Sequence, residues 1–177
     1  MAKEPAQIVL TGSPGCGKTT AVTRIAQSFD ASKLAGFWTE EIREAGIRRG
    51  FRWNRPDGSA GILAHVNIKS PHRVGKYGVD IATFNQVVVP TLDPEQTAAE
   101  LFIIDEIGKM ECFSKAFVAT VRKLFNSERC VLATVALKGS GLIEEAKHWP
   151  GIELHHLTVR NRDSVVREIT QRLAFLQ

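Results

Sequence analysis

Residues 12–19 read Gly-Ser-Pro-Gly-Cys-Gly-Lys-Thr, the spacing of a glycine-rich loop that wraps a chain of phosphates. Glycines let the backbone turn through conformations closed to residues with a Cβ, so successive N–H groups point inward. An apolar run, Ile8 to Leu10, precedes the loop, and an amphipathic stretch from Thr19 to Phe29 follows it. Strand, loop and helix in that order are what the chemistry requires, because the helix adds the positive end of its dipole. Lys18 is placed to reach the β- and γ-phosphates, and Thr19 to offer its hydroxyl to Mg²⁺. We therefore expect Gly12, Ser13, Pro14, Gly15, Cys16, Gly17, Lys18, Thr19 and Thr20 to hold a nucleoside triphosphate. Cys16 reads as a variable position of the loop, although a thiol at a helix N-terminus is also open to activation.

A phosphate loop alone implies binding and not hydrolysis. The run Leu101-Phe102-Ile103-Ile104 ends in Asp105-Glu106, and an apolar run of this kind suits a strand buried on both faces of a parallel sheet. Ligands meet such sheets at the carboxyl ends of the strands. Asp105 there would hold Mg²⁺, through a water, as the second protein anchor beside Thr19. Glu106 would face the γ-phosphate and orient or deprotonate an attacking water. The catalytic pair expected is thus Lys18 and Glu106, with Thr19 and Asp105 at the metal.

Four blocks occur together in this chain: the GSPGCGKTT loop, TEEIREAGIRRG from Thr39 to Gly50, RVGKYGVD from Arg73 to Asp80, and IIDEIGKM from Ile103 to Met110. In that order they resemble the THEP1 family of nucleoside-triphosphatases, whose human form is called cancer-related nucleoside-triphosphatase. The likeness runs from Ile8 to about Asp163. It implies a P-loop ATPase-like fold with a catalytic glutamate, and Mg²⁺-dependent hydrolysis of several nucleoside triphosphates (ATP, GTP, CTP, UTP and TTP) to diphosphates. By position, Gly12 to Thr19 would be the phosphate loop and Asp105-Glu106 the metal and base pair.

Charge developing on the γ-phosphate calls for a positive group, and several are candidates. Arg43, Arg48, Arg49, Arg52 and Arg55 crowd one stretch. On a regular strand Arg48 and Arg52 would share one face, and Arg49, Phe51 and Trp53 the other. One of Arg43, Arg48 or Arg49 is a cis arginine finger or base contact, or else the cluster is a solvated edge protected by charge. Arg73 to Gly78 is either a loop folding over the ligand or a tight structural turn with Tyr77 at its rim. Lys109 either reaches the phosphates or is a surface lysine. Asn161-Arg162-Asp163 follows the last strand, where Asn161 or Arg162 would meet the base and Asp163 would cap the helix.

The elements that must position these groups alternate. Strands are expected at Leu34–Thr39, Leu101–Ile104, Val131–Leu137 and Ile152–Val159, and helices after Lys18, after Ser114, over Ser140–Trp149 and from Asp163. Ile47–Arg55 and Ala60–Ile68, joined through Pro56, Asp57 and Gly58, read as an antiparallel hairpin. The fold class expected is α/β: a P-loop three-layer α/β/α sandwich, its sheet mainly parallel, with the hairpin extending one edge. One domain over residues 1–177 accounts for all of it. No apolar run approaches the roughly 18 residues of a membrane span, and the N-terminus lacks the shape of a signal peptide. Three cysteines without metal-type spacing suit a reducing cytoplasm. A monomer is expected, and no membrane partner. A net charge of +4 suits a small polyanion as well as nucleic acid.

Two rival functions fit the same loop. A small nucleotide or nucleoside kinase would use Glu106 to deprotonate a substrate hydroxyl in place of water. A nucleotide-regulated, nucleic-acid-associated protein would use the Arg-rich hairpin, with Phe51 and Trp53 interleaved. The chain contains no Asn-Lys-x-Asp or Thr-Lys-x-Asp guanine signature, which counts against a GTP switch.

Overall fold

A sheet of nine strands in the order β5-β6-β4-β3-β2-β7-β8-β1-β9 runs through the molecule. The structure, a computed structural model, describes residues 5–176. The strands are β1 (Gln7–Gly12), β2 (Leu34–Glu44), β3 (Ile47–Asn54), β4 (Ala60–His65), β5 (Arg73–Val74), β6 (Tyr77–Val79), β7 (Leu101–Ile107), β8 (Cys130–Ala136) and β9 (Glu153–His156). The half β2-β7-β8-β1-β9 is parallel. Its central strands are buried along their length, so they read as unbroken apolar runs and not as alternating ones.

Helices cover both faces of this half. α1 (Lys18–Ala26) and α5 (Arg162–Arg172) pack Val22, Ile25, Val166 and Ile169 against Ile8, Leu10, Ile103 and Leu132. Across the sheet, α3 (Lys115–Phe125) and the short α4 (Leu142–Glu145) set Phe117, Val121 and Leu142 against Val9, Phe102, Ile104 and Ala133. The alternation along each strand thus feeds two cores, as a three-layer sandwich demands. Ser114 starts α3 by accepting from Phe117 N–H at 2.9 Å, a cap worth about 1 kcal/mol. Asp163 does not cap α5: Asn161 is the cap residue, and the Asp163 carboxylate instead pairs with Arg24 of α1.

The expected hairpin is present as β3 and β4, but it belongs to a larger antiparallel extension. β2 continues past Thr39 to Glu44, turns through Ala45 and Gly46, and pairs with β3 along its length. β4 then pairs with β6, and β6 with β5. Arg73 to Gly78 is accordingly a tight hairpin, with Tyr77 buried in it. Between β6 and β7 the chain makes one short helical turn, α2 (Ile81–Thr83), that runs on through a π-turn and a 3₁₀ turn to Leu92. Phe84, Val88 and Leu92 of this segment are fully buried beneath the extension. The segment had no sequence assignment. Residues 140–149 form a much shorter helix than expected: Gly141, at a positive φ of 57°, delays its start, and past Glu145 the chain tightens into i→i+3 turns.

Candidate active site

The phosphate loop joins β1 to α1 without side-chain capping, so its geometry rests on the backbone. Gly15 and Gly17 hold φ of 80° and 97°, values that disfavour any residue with a Cβ. Gly12 is required for a different reason. A Cβ there would lie 2.4 Å from the Leu157 carbonyl oxygen and 2.7 Å from Cys16 Sγ. Cys16 therefore packs inward under the loop, in the core between α1 and α5. Ser13, Pro14, Gly15 and Thr20 are exposed at the mouth.

The loop faces the carboxyl end of β7. Ile104 pairs with Ala133 and Ile107 with Val135, so two residues, Asp105 and Glu106, stand opposite one on β8. Such an irregularity re-aims side chains at a strand end. Asp105 is 1% exposed and sits in a cage of donors. Its Oδ2 accepts from the Thr19 hydroxyl at 2.8 Å and from the backbone N–H and hydroxyl of Thr39 at 3.2 and 3.3 Å. Its Oδ1 accepts from the Thr134 hydroxyl at 2.6 Å. Each donor arrives on a different element: α1, β2 and β8 converge on one carboxylate.

Glu106 is partly exposed and points toward the loop, with Oε2 3.7 Å from Lys18 Nζ. Lys18 also donates to the Gly12 carbonyl at 3.1 Å, which holds its ammonium across the strand end. Burial lifts the Glu106 carboxyl above the usual carboxylate range, and Asp105 adds to the lift while Lys18 opposes it. Behind Glu106 lies a further acid, Glu111, 5% exposed. Burial, with the neighbouring Glu106 charge, raises its carboxyl well above the ordinary value. A Cβ on Gly108 would sit 2.9 Å from Glu111 Oε2 and 3.1 Å from Glu106 Oε1, so the two acids share the space that this glycine leaves.

A cleft of about 880 Å³ opens at these strand ends. The loop, Asp105 and Glu106 form one side, and Arg48 and Phe51 of the antiparallel extension the other. Arg48 reaches the cleft because Arg43 pairs with Arg48 and Ile42 with Gly50, leaving Arg49 as an extra residue. This bulge breaks the regular alternation. Arg48 therefore shares a face with Phe51 and not with Arg52: its guanidinium lies 5.2 Å from the Phe51 ring centre. Nε donates to the Tyr77 hydroxyl at 3.0 Å and Nη1 to Glu41 at 3.0 Å.

The other cationic candidates lie elsewhere. Arg43 is tied to Glu41 and the Gly46 carbonyl on the exposed turn, Arg49 to Glu44, and Arg73 to the carbonyls of Ile68 and Lys76. Lys109 is exposed and lines a smaller neighbouring cavity. Lys138, which follows β8, borders both cavities and was not anticipated. Arg162 opens α5 and lies against the loop: a Cβ on Gly17 would be 2.7 Å from its Nη1. Its Nε is enclosed with no hydrogen-bond acceptor among the described residues. Thr39, Thr134 and Glu111 were also missed. The available signal was a lone polar residue in the apolar run Val131–Val135, which gains meaning only once the register sets Thr134 beside Asp105.

A glycine loop between the first strand and first helix, with an acidic pair at the end of a parallel strand one removed from it, defines a P-loop NTPase of α/β class. The NTPase family model matches residues 7–170. The chain is 40% identical over 169 residues to the nucleoside-triphosphatase THEP1 of Thermotoga petrophila, covering 96% of this chain and 93% of that protein. Its fold superposes on the crystal structure of THEP1 from Aquifex aeolicus with a TM-score of 0.84 at 35% identity, covering 94% and 98% of the two chains. The solution structure of a human cancer-related nucleoside triphosphatase gives a TM-score of 0.79 at 32% identity, covering 97% and 99%. The chain belongs to the THEP1 family of nucleoside-triphosphatases. Among the described residues no helix is long and apolar enough to cross a membrane.

Proposed function

We propose that this protein hydrolyses nucleoside 5′-triphosphates to diphosphate and phosphate with Mg²⁺, that it accepts several bases, and that residues 1–177 act as one P-loop domain. The observation that carries the reading is the pairing of the loop with the end of β7: Thr19 on Asp105 at 2.8 Å, and Lys18 beside Glu106 at 3.7 Å. The loop N–H groups and Lys18 hold the β- and γ-phosphates in line. Glu106 takes the proton of the attacking water, and its raised carboxyl brings its basicity nearer to neutral pH. Arg48, fixed by Glu41, Tyr77 and Phe51 at the cleft wall, supplies positive charge as the γ-phosphate departs.

The Thr19 hydroxyl and the Asp105 carboxylate are hard oxygen donors side by side, a set that suits Mg²⁺ held by one carboxylate plus substrate phosphates and waters. An ion held by these two groups would supply Lewis-acid charge to the phosphates of a bound nucleotide. Ser13, Pro14, Gly15, Gly17 and Thr20 complete the nucleotide wall around Gly12, with Cys16 as filler beneath it. Arg162 offers a guanidinium plane against the loop, and such a plane stacks on any base without reading its edge. That supports broad base tolerance.

The loop, Asp105, Glu106 and Arg48 line one cleft of the chain, and we propose that it acts as a monomer. The unpaired Cys16, Cys112 and Cys130 support a cytoplasmic setting. Phosphate release from ATP, GTP, CTP, UTP and dTTP, with Mg²⁺ and with chelator, tests the reading. Release from all five within about tenfold of one another, abolished by chelator, is the expected result. Release that persists without metal, or from one nucleotide alone, contradicts it.

A further inference from the structure

The cleft does not end at Glu106. A second cavity of about 260 Å³ shares Thr39, Phe51, Glu106, Ala136 and Lys138 with it. No residue of the phosphate loop lines this chamber, whereas Leu63, Val74, Met110 and Glu111 do. Glu106 thus stands in the wall common to both spaces. Oε2 faces Lys18 at the loop. Oε1 lies 3.1 Å from the point where a Gly108 Cβ would sit, and Oε2 of Glu111, which lines the second chamber, lies 2.9 Å from the same point. A hydrolytic water needs about 30 Å³, and the chamber has room for roughly nine. Its lining is also unlike that of a water path. Phe51, Leu63, Val74 and Met110 make an apolar side suited to a flat ring, while Glu111 and Lys109 supply polar groups.

We propose that this chamber is an acceptor subsite that takes a ring-bearing primary alcohol up to the size of a nucleoside and presents its hydroxyl to Glu106, giving the enzyme a phosphotransferase activity beside hydrolysis. The proposal rests on the reading of Glu106 as the base. The alcohol oxygen forms a bond to the γ-phosphorus as its proton passes to the Glu106 carboxylate. The bond from the γ-phosphorus to the β–γ bridging oxygen breaks, and its electron pair leaves with the nucleoside diphosphate. The products are a phosphomonoester and the diphosphate, and the proton returns from Glu106 to solvent. Nothing is oxidised or reduced. Glu111, whose carboxyl is raised well above the ordinary value by burial, lines the chamber and offers a hydrogen-bonding group to a ring heteroatom or second hydroxyl of the acceptor. An apolar occupant also displaces water from the base, so transfer gains at the expense of hydrolysis.

The test is the purified protein with ATP and Mg²⁺ plus uridine, cytidine or adenosine, with glycerol as the ringless control, read by ³¹P NMR and chromatography. A nucleoside monophosphate is expected with at least one nucleoside, and no glycerol phosphate. Val74→Trp, which fills the chamber, should lower the ratio of phosphomonoester to inorganic phosphate about tenfold or more. Met110→Trp, entering from another wall, gives the same reading if the first variant folds poorly. Phosphate release from ATP with no phosphomonoester from any nucleoside overturns the acceptor site and leaves the hydrolase reading intact. Transfer undiminished in both filled variants overturns the chamber as its location. Loss of transfer and hydrolysis together in Glu106→Gln belongs to the shared base and supports both readings.

Discussion

Replacing Thr134 by valine removes one hydroxyl and changes little else. Thr134 is fully buried on β8, and its hydroxyl donates to Asp105 Oδ1 at 2.6 Å. Thr19 and Thr39 both serve Oδ2, so Oδ1 is left with no donor among the described residues when Thr134 is gone. A hydrogen bond to a charged group contributes about 1.5–3 kcal/mol. Expressed wholly in the placement of Asp105, that is about 10- to 150-fold in metal affinity, in line with the loss seen when a group that orients a metal ligand is removed. The assay is phosphate release at saturating ATP across a Mg²⁺ titration, with denaturant unfolding in parallel. Thr134→Val should raise the half-saturating Mg²⁺ about tenfold or more, whereas Thr134→Ser, which keeps the hydroxyl, should stay within about threefold of the parent. A Val variant with unchanged Mg²⁺ dependence refutes the placement of the metal at Asp105. A loss of folding stability alone would mean that the Thr134 bond braces the strand end and nothing more.

Arg48→Ala should lower kcat about 100-fold and leave KM within about threefold, because the guanidinium is needed where charge develops and not for ground-state binding. An unchanged kcat would return Arg48 to the solvated edge. Glu111→Gln should alter the pH dependence of stability. The Glu111 carboxyl is raised in the folded chain, so the stability it contributes is full below the ordinary glutamate range and is lost as pH rises through the folded value. The melting temperature of the Gln variant should therefore gain on the parent from pH 4.5 to pH 8. A constant gap across that range would mean that Glu111 is not held neutral by the fold.

The centre of the parallel half, β7, β8 and β1, was legible because these strands are buried on both faces, and β1 leads into a helix with an apolar stripe. The antiparallel half was only partly so. Its second hairpin was announced by Pro56, Asp57 and Gly58, but its first turns through Ala45 and Gly46, where only the glycine is a usual turn residue and Ala45 holds a φ of 48° that alanine seldom adopts. The same limit applied at the site. The loop and Asp105-Glu106 are local in sequence and carry their own chemistry. The group that aims at the cleft from the extension depended on the bulge at Arg49, which moves Arg48 onto the Phe51 face. Bulges follow from pairing between strands, and no spacing along one strand reveals them. The threonine cage around Asp105 has the same origin: Thr19, Thr39 and Thr134 are far apart in sequence and meet only through sheet order.

Glu106→Gln tests the central claim most directly, because it keeps the shape of the side chain and removes the base. Phosphate release and ATP affinity are measured on the same preparation. The account predicts turnover lower by about 10²- to 10⁴-fold with ATP bound as tightly as by the parent, within a few-fold. Turnover equal to the parent in a variant that still binds ATP would contradict it.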